Sequence, residues 1–163
     1  MRVVITEFMD ETAVAGLAAQ HETFYDKGLV DRPDELAVRV GSADALIVRN
    51  RTQVNARLLA TAPVLKVVGR LGVGLDNIDV DACKARGIEV IAAAGANALA
   101  VAEYVIAAAM FLLRGAYASS AAVGAGEWPR LALANGQELA GKTLGVIGFG
   151  GIGQVEPPAR GRI

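Results

Sequence analysis

The sequence predicts an α/β chain: a parallel sheet covered by helices on both faces, then the beginning of a second α/β unit. Three observations carry this. Short β-branched runs recur at Val3-Val4-Ile5, Thr23-Phe24-Tyr25, Leu46-Ile47-Val48, Lys66-Val67-Val68 and Glu89-Val90-Ile91. Helical patterns fill the gaps between them. After residue 97 the character changes to Ala-rich helix and then to a glycine turn.

Successive runs sit roughly 20 to 23 residues apart, the length of a strand, a loop and a crossover helix of about three turns. The runs are apolar throughout rather than alternating, which is the pattern of strands buried on both faces of a parallel sheet. Helices are expected over Asp10 to Gln20, Pro33 to Val40, Asn55 to Ala62 and Asp79 to Arg86. Pro33 fits a first helical turn, where no amide donor is lost. Gly87 fits the left-handed cap that ends the fourth helix.

From Asn97, a candidate N-cap, to Val123 the chain reads as one or two long helices. The stretch from Tyr104 to Leu113, bounded by Glu103 and Arg114, is too short to cross a bilayer and reads as a core or interface helix. Glu127-Trp128-Pro129 interrupts the pattern, Asn135-Gly136 signals a turn, and a further strand is expected at Thr143 to Ile147. A domain boundary is therefore expected near residue 97, dividing the chain into 1–97 and 98–163.

Composition narrows the partners. The 163 residues are 53% hydrophobic and 20% charged, with 17 acidic against 16 basic side chains. Nothing here steers the chain to nucleic acid or to an anionic membrane surface. The lone Cys83 lies in a short helical pattern with no metal-ligand spacing and reads as a small apolar filler. The start, Met-Arg-Val-Val-Ile-Thr-Glu, reaches a charge too early for a signal peptide, so a cytoplasmic location is expected.

The expected strand Lys142 to Ile147 runs into Gly148-Phe149-Gly150-Gly151-Ile152-Gly153, a G-x-G-x-x-G pattern. Gly148 would permit the tight turn, Gly150 would leave room for a pyrophosphate, and Gly153 would let a following helix pack on the strand. With Gly151 and Ile152, these are the candidate cofactor-binding residues, because phosphates would meet unpaired amides at a helix N-terminus. An acidic ribose partner about 20 residues further on would fall past Ile163. Coenzyme preference between NAD and NADP is therefore open from this string alone.

Several blocks together resemble the D-isomer-specific 2-hydroxyacid dehydrogenases. Val48-Arg49-Asn50-Arg51-Thr52-Gln53-Val54 resembles their substrate loop, and Val68 to Asp79, with Gly69-Arg70-Leu71-Gly72-Val73-Gly74, resembles their glycine turn after the fourth strand. Gly95-Ala96-Asn97 with Val101-Ala102-Glu103 is similar to the start of the interdomain helix, and Leu139 to Gly145 is similar to the lead-in to the cofactor fingerprint. The phosphoglycerate dehydrogenase branch is the nearest likeness, with sulfolactate dehydrogenase as the alternative.

The resemblance implies a flavodoxin-like substrate domain over 1–97, a Rossmann NAD-binding domain beginning at 98, and NAD as cofactor. It implies a small anionic 2-hydroxy or 2-oxo acid as substrate, bound by Arg49 and Asn50 and by the amides of Gly72, Val73 and Gly74, with Val73 also facing the cofactor. It further implies a homodimer or larger assembly for a full-length relative. A guanidinium suits an acid group through paired hydrogen bonds, and a glycine-rich turn offers amides that no side chain blocks.

Arg51, beside Asn50, would suit a second acid group, or else solvent. Arg70 would contact substrate or brace its loop by pairing with Asp76 or Asp79. The family's histidine, glutamate and arginine of proton transfer match nothing here and are expected past Ile163. His21 precedes the second strand and carries no catalytic expectation. The likeness ends after Gln154, where Pro157-Pro158 would break a helix, and the expectation is a shifted reading frame or an artificial end. An inactive fragment or a simple anion-binding module is the competing reading.

Overall fold

A computed structural model describes residues 1–155; the two prolines at 157 and 158 lie outside the described residues. The chain divides into two compact units, Met1–Ala94 and Gly95–Ile163.

The first unit holds five strands, β1 (Arg2–Ile5), β2 (Glu22–Tyr25), β3 (Ala45–Val48), β4 (Val67–Arg70) and β5 (Glu89–Ala92), in one sheet of order β2-β1-β3-β4-β5. Every pairing is parallel: Val3 faces Thr23 and Ala45, Ala45 faces Val67, and Val67 faces Glu89. The expected flavodoxin-like order is thus present.

Four helices cross between the strands: α1 (Glu11–Ala18), α2 (Pro33–Val40), α3 (Ala56–Ala60) and α4 (Val80–Ala85). Their starts are chemically specified. Asp10 accepts from the amides of Thr12 and Ala13, Asn55 from Leu58, and Asp79 from Ala82, each satisfying donors that the first helical turn leaves open. Pro33 occupies the first turn of α2, and Gly87, at φ +70°, follows α4 in the left-handed conformation.

Successive strand side chains point to opposite faces, so β1 to β4 each feed two cores, while β5 adds Val90 to one. Val4, Leu46, Val48 and Val68 pack with Leu36 and Val40 of α2, Leu59 of α3 and Cys83 of α4. Val3, Ile5 and Ala45 pack on the other face with Val14 and Leu17 from the α1 side. Burial on this scale, worth roughly 1.5–3 kcal/mol per large apolar side chain, fixes the register, because a one-residue slip would turn each strand over.

The second unit contains α5 (Ala98–Arg114), a 3-10 turn at Ala116–Ser119, α6 (Ser120–Gly124) and α7 (Arg130–Leu133). Three expectations meet the structure here, two of them corrected. Asn97 stands at the N-cap of α5, but its side chain makes no capping bond. The helix ends at Arg114 and Gly115 (φ +63°), and none of its residues is buried, so of the two expected roles, core or interface, the core one is not met within this chain. An apolar helix buries a face only where another element runs along it, and the main helical neighbour of α5 within this unit is the short 3-10 turn. Finally, residues 143–147 form no strand. Parallel strands exist only as hydrogen-bonded neighbours, and among the described residues this segment has none.

Candidate substrate and cofactor loops

In an open parallel sheet, ligands bind beyond the carboxyl ends of the strands where the strand order reverses. Here that point lies between β1 and β3. The residues leaving β1 are Thr6, Glu7 and Phe8, and those leaving β3 are Arg49, Asn50, Arg51 and Thr52. The next strand, β4, delivers the Gly72–Gly74 turn beside them.

The β3 loop is organised by a residue that sequence reasoning missed. Glu7, only 4% exposed, accepts hydrogen bonds from four consecutive amides: Arg49 at 2.9 Å and Thr52 at 3.0 Å on Oε1, Asn50 at 3.2 Å and Arg51 at 3.0 Å on Oε2. Burial pushes its carboxyl pKa upward. The amides of Thr52, Arg49 and Arg51 outweigh that and bring it down to about 2. Glu7 is therefore ionised at neutral pH, enclosed in a nest of backbone donors. Its signal in the sequence was a carboxylate directly after an apolar strand, at the strand that sits where the order reverses.

The same contact region is stitched sideways. The hydroxyls of Thr6 and Thr52 lie 2.8 Å apart, and Asn77 Nδ2 donates to the Thr52 carbonyl at 2.8 Å. The Val54 amide donates to the Asn77 carbonyl, and the Asp79 amide to the Val54 carbonyl, both at 2.8 Å. The loops after β3 and β4 are thereby joined.

Arg49 and Asn50 are both exposed at the carboxyl edge. The Arg49 guanidinium carbon stands 5.7 Å from the Phe8 ring centroid, within cation–π range, and among the described residues it forms no ion pair. Arg51 differs, because both of its terminal nitrogens engage the Asp31 carboxylate. That pairing directs Arg51 to a carboxylate of its own chain.

In the β4 turn, the Gly72 amide is bonded to the Arg70 carbonyl at 2.8 Å, while the amides of Val73 and Gly74 have no acceptor among the described residues. Val73 is 52% exposed. Gly72 has φ +157°, a conformation that L side chains rarely adopt, and the Arg70 guanidinium lies over the space a Cβ would take. Arg70 itself donates to the Leu71 carbonyl at 2.9 Å, and its Nε is buried without a partner. It does not pair with Asp79, whose carboxylate caps α4, nor with Asp76. Its guanidinium instead folds back over its own turn.

The cofactor pattern lies in the second unit. Gly148 has φ +95°, a conformation that favours glycine, and a Cβ on Gly153 would approach the Gly148 carbonyl oxygen to 2.6 Å. The space a Cβ of Gly150 or Gly151 would enter is open, and no amide from Gly148 to Gly153 donates to a described residue. These residues fit a diphosphate. The helix expected to follow them is a single turn, with the Gln154 amide on the Gly150 carbonyl at 3.0 Å and Gln154 Nε2 on the Phe149 carbonyl at 2.7 Å. One turn aligns few peptide dipoles, and nucleating a helix without a strand beneath it is unfavourable. The loop therefore offers amides without a helix behind them.

His21 lies just before β2, at the amino edge of the sheet, and its backbone is used by Leu17 and Thr23. It is thus at the end of the strands opposite to Arg49. Among the described residues there is no cluster that could hold a metal ion and no helix long and apolar enough to cross a membrane.

The chain is 55% identical over 150 residues to an (S)-sulfolactate dehydrogenase of Chromohalobacter salexigens, covering 92% of this chain and 48% of that one. It is 43% identical over 155 residues to a D-3-phosphoglycerate dehydrogenase of Mycobacterium leprae, covering 94% of this chain and 28% of the other. Among solved structures it superposes on an NAD-dependent formate dehydrogenase from Staphylococcus aureus in complex with NAD, with a TM-score of 0.74 and 26% identity, over 94% of this chain and 51% of that one. The chain thus spans about half, or less, of the length of these proteins. The family described as D-isomer specific 2-hydroxyacid dehydrogenase, catalytic domain, matches residues 3–148, and the chain belongs to it.

Proposed function

We propose that this chain supplies the substrate loops and the first cofactor loop of an NAD-dependent D-2-hydroxyacid dehydrogenase, in which hydride passes between the nicotinamide and a small anionic 2-hydroxy or 2-oxo acid. The observation that carries this reading is the presence together of Arg49, a cation with no ion pair among the described residues, and the amides of Val73 and Gly74, which have no acceptor among them. Both lie at the carboxyl edge of adjacent parallel strands. A cation and convergent amides are the complement of a carboxylate. Asn50, beside Arg49, adds a neutral donor and acceptor. Residues 1–97 would form the substrate domain and 98–163 the start of the NAD domain, with Gly148, Gly150, Gly151, Ile152 and Gly153 facing the diphosphate and Val73 the nicotinamide side. NAD supplies the hydride acceptor.

We favour a sulfonated acid over a phosphorylated one, on the higher identity to the sulfolactate enzyme. The second anionic group would need a partner other than Arg51, which Asp31 holds. The reading extends to work in the cytoplasm and to a dimer or larger assembly of the complete enzyme. The acid–base pair finds no counterpart at the carboxyl edge among the described residues, and this favours a second reading for the chain taken alone, namely that it binds the acid without turning it over.

Titration calorimetry with sulfopyruvate, with 3-phosphohydroxypyruvate as comparison, tests the binding claim. Arg49→Ala should weaken sulfopyruvate by about tenfold or more, and unchanged affinity would refute the assigned site. NADH oxidation with the same acids separates the two readings, because turnover by the 163-residue chain would exclude the binding-only one.

A further inference from the structure

Four polar side chains are buried among the described residues: Thr6, Glu7, Thr52 and Asn77. They are neither scattered nor paired at random. All four lie at the carboxyl edge of the sheet and join into one hydrogen-bonded set, running from Glu7 to the amides of residues 49–52, from Thr6 to Thr52, and from Thr52 to Asn77 at the far end of the β4 loop. Buried polar groups are costly unless satisfied, and a satisfied set rigidifies what it touches.

We propose that Glu7 is the positioning residue of the substrate site: its carboxylate fixes the Arg49–Thr52 loop and, through Thr52 and Asn77, holds that loop in register with the Gly72–Gly74 turn. The inference rests on the assignment of Arg49 and the Val73 and Gly74 amides to the substrate anion. Glu7 itself touches no substrate. Each of its oxygens already accepts two amide protons, so neither a metal ion nor a proton in transfer has a lone pair to use. What the carboxylate supplies is direction. Four successive amides converging on one anion fix the backbone at Arg49, and a side chain springing from a fixed backbone on the strand side of the loop reaches its ligand with less freedom to lose.

The chemistry offers a specific test. Glu7→Ala removes the atoms of an acetate ion from an amide nest that still wants an anion. In the full chain, Glu7→Ala should weaken sulfopyruvate by about tenfold, and added acetate should restore affinity and return the amide resonances of residues 49–52 toward their original positions. Glu7→Gln should be weakened without acetate rescue, because the amide side chain fills the space while its nitrogen faces donors. In the unaltered protein acetate should only compete. An independent arm, Asn77→Ala, leaves Glu7 and the backbone bonds at Val54 in place and removes only the side-chain bond from Asn77 to the Thr52 carbonyl, and it too should weaken the probe. Glu7→Ala or Asn77→Ala binding sulfopyruvate as the unaltered chain does, while Arg49→Ala is impaired, would overturn the positioning role alone. Should Glu7→Ala fail to fold, Asn77→Ala decides in the same way. Full binding by Arg49→Ala would instead remove the underlying site assignment.

Discussion

Residues 1–94 and 95–155 are both rich in apolar side chains, yet the two stretches have used them differently. Every buried side chain among the described residues belongs to the first; the last of them along the chain is Ile88. In the second, Leu112 is 77% exposed and Ile147 wholly so. Hydrophobic sequence is therefore only the condition for a core. What turns it into one is a set of neighbours that arrive in register, and β1 to β5 provide these for each other through unbroken parallel pairing. The segment 143–147 has a strand's composition without a strand's partners. Loop chemistry follows the same division. The Arg49 loop is held by buried bonds to Glu7 and Asn77, whereas the Gly148–Gly153 amides are open and backed by one turn.

The largest expected consequence is in backbone protection. Amides of Val3 to Ile5 are locked in the middle of a parallel sheet, where exchange requires near-global opening. Those of residues 143–147 are paired with nothing described. Hydrogen exchange on the whole chain should show protection at least about a thousandfold greater in the first group. Comparable protection in a monomeric sample would mean that 143–147 has found a partner, and the contrast between the two regions would collapse.

A second effect, of about 3 kcal/mol, sharpens the contrast from the side of the ordered loop. The Glu7 carboxyl lies at about 2 in the folded chain against 4.5 for an ordinary glutamate. Because the folded value is the lower one, the ionised group favours folding. Its contribution is fully present above about pH 4.5 and is lost as pH falls toward 2, as the unfolded chain takes up its proton first. A difference of this size corresponds to ~3 kcal/mol. Urea unfolding followed by circular dichroism should show a steeper acid loss over that window in the unaltered chain than in Glu7→Gln. Parallel curves would show that the nest does not hold Glu7 ionised.

Much of this was legible beforehand, and the reasons differ by element. The inner strands could be read because burial on both faces writes itself as a continuous apolar run, the edge strands β2 and β5 because their β-branched and aromatic residues recur at the same spacing, and the crossover helices because Asp10, Pro33, Asn55 and Asp79 mark their starts. Arg49 and the Gly72–Gly74 turn could be singled out by the likeness of their loops to those of 2-hydroxyacid dehydrogenases. Glu7 could not. Its role depends on four amides 42 to 45 residues away, and local sequence shows only a charge ending an apolar run. Arg51 and Arg70 illustrate the same limit: each had an evident electrostatic use, and tertiary placement gave one of them Asp31 and folded the other over Gly72. The expected strand at 143–147 failed for the opposite reason. Its local signal was clear, but strandedness is a property of pairs.

The smallest effect isolates helix starts from cores. In the first unit the cap side chains are engaged, with Asp10 accepting from Thr12 at 3.0 Å and from Ala13 at 3.2 Å. In the second, Asn97 occupies the corresponding place before α5 with φ −117° and ψ 10° and makes no side-chain bond. Replacing a working cap by alanine removes an acceptor from helix amides and costs about 1 kcal/mol, whereas replacing an idle one removes only a poor helix former. Asp10→Ala should therefore lower the stability of the sheet unit by about 1 kcal/mol in urea unfolding. Asn97→Ala should leave the amide exchange of α5 unchanged or slightly slower. Faster exchange through the first turn of α5 in Asn97→Ala would mean that this asparagine does cap its helix, and that the two regions begin their helices by the same chemistry after all.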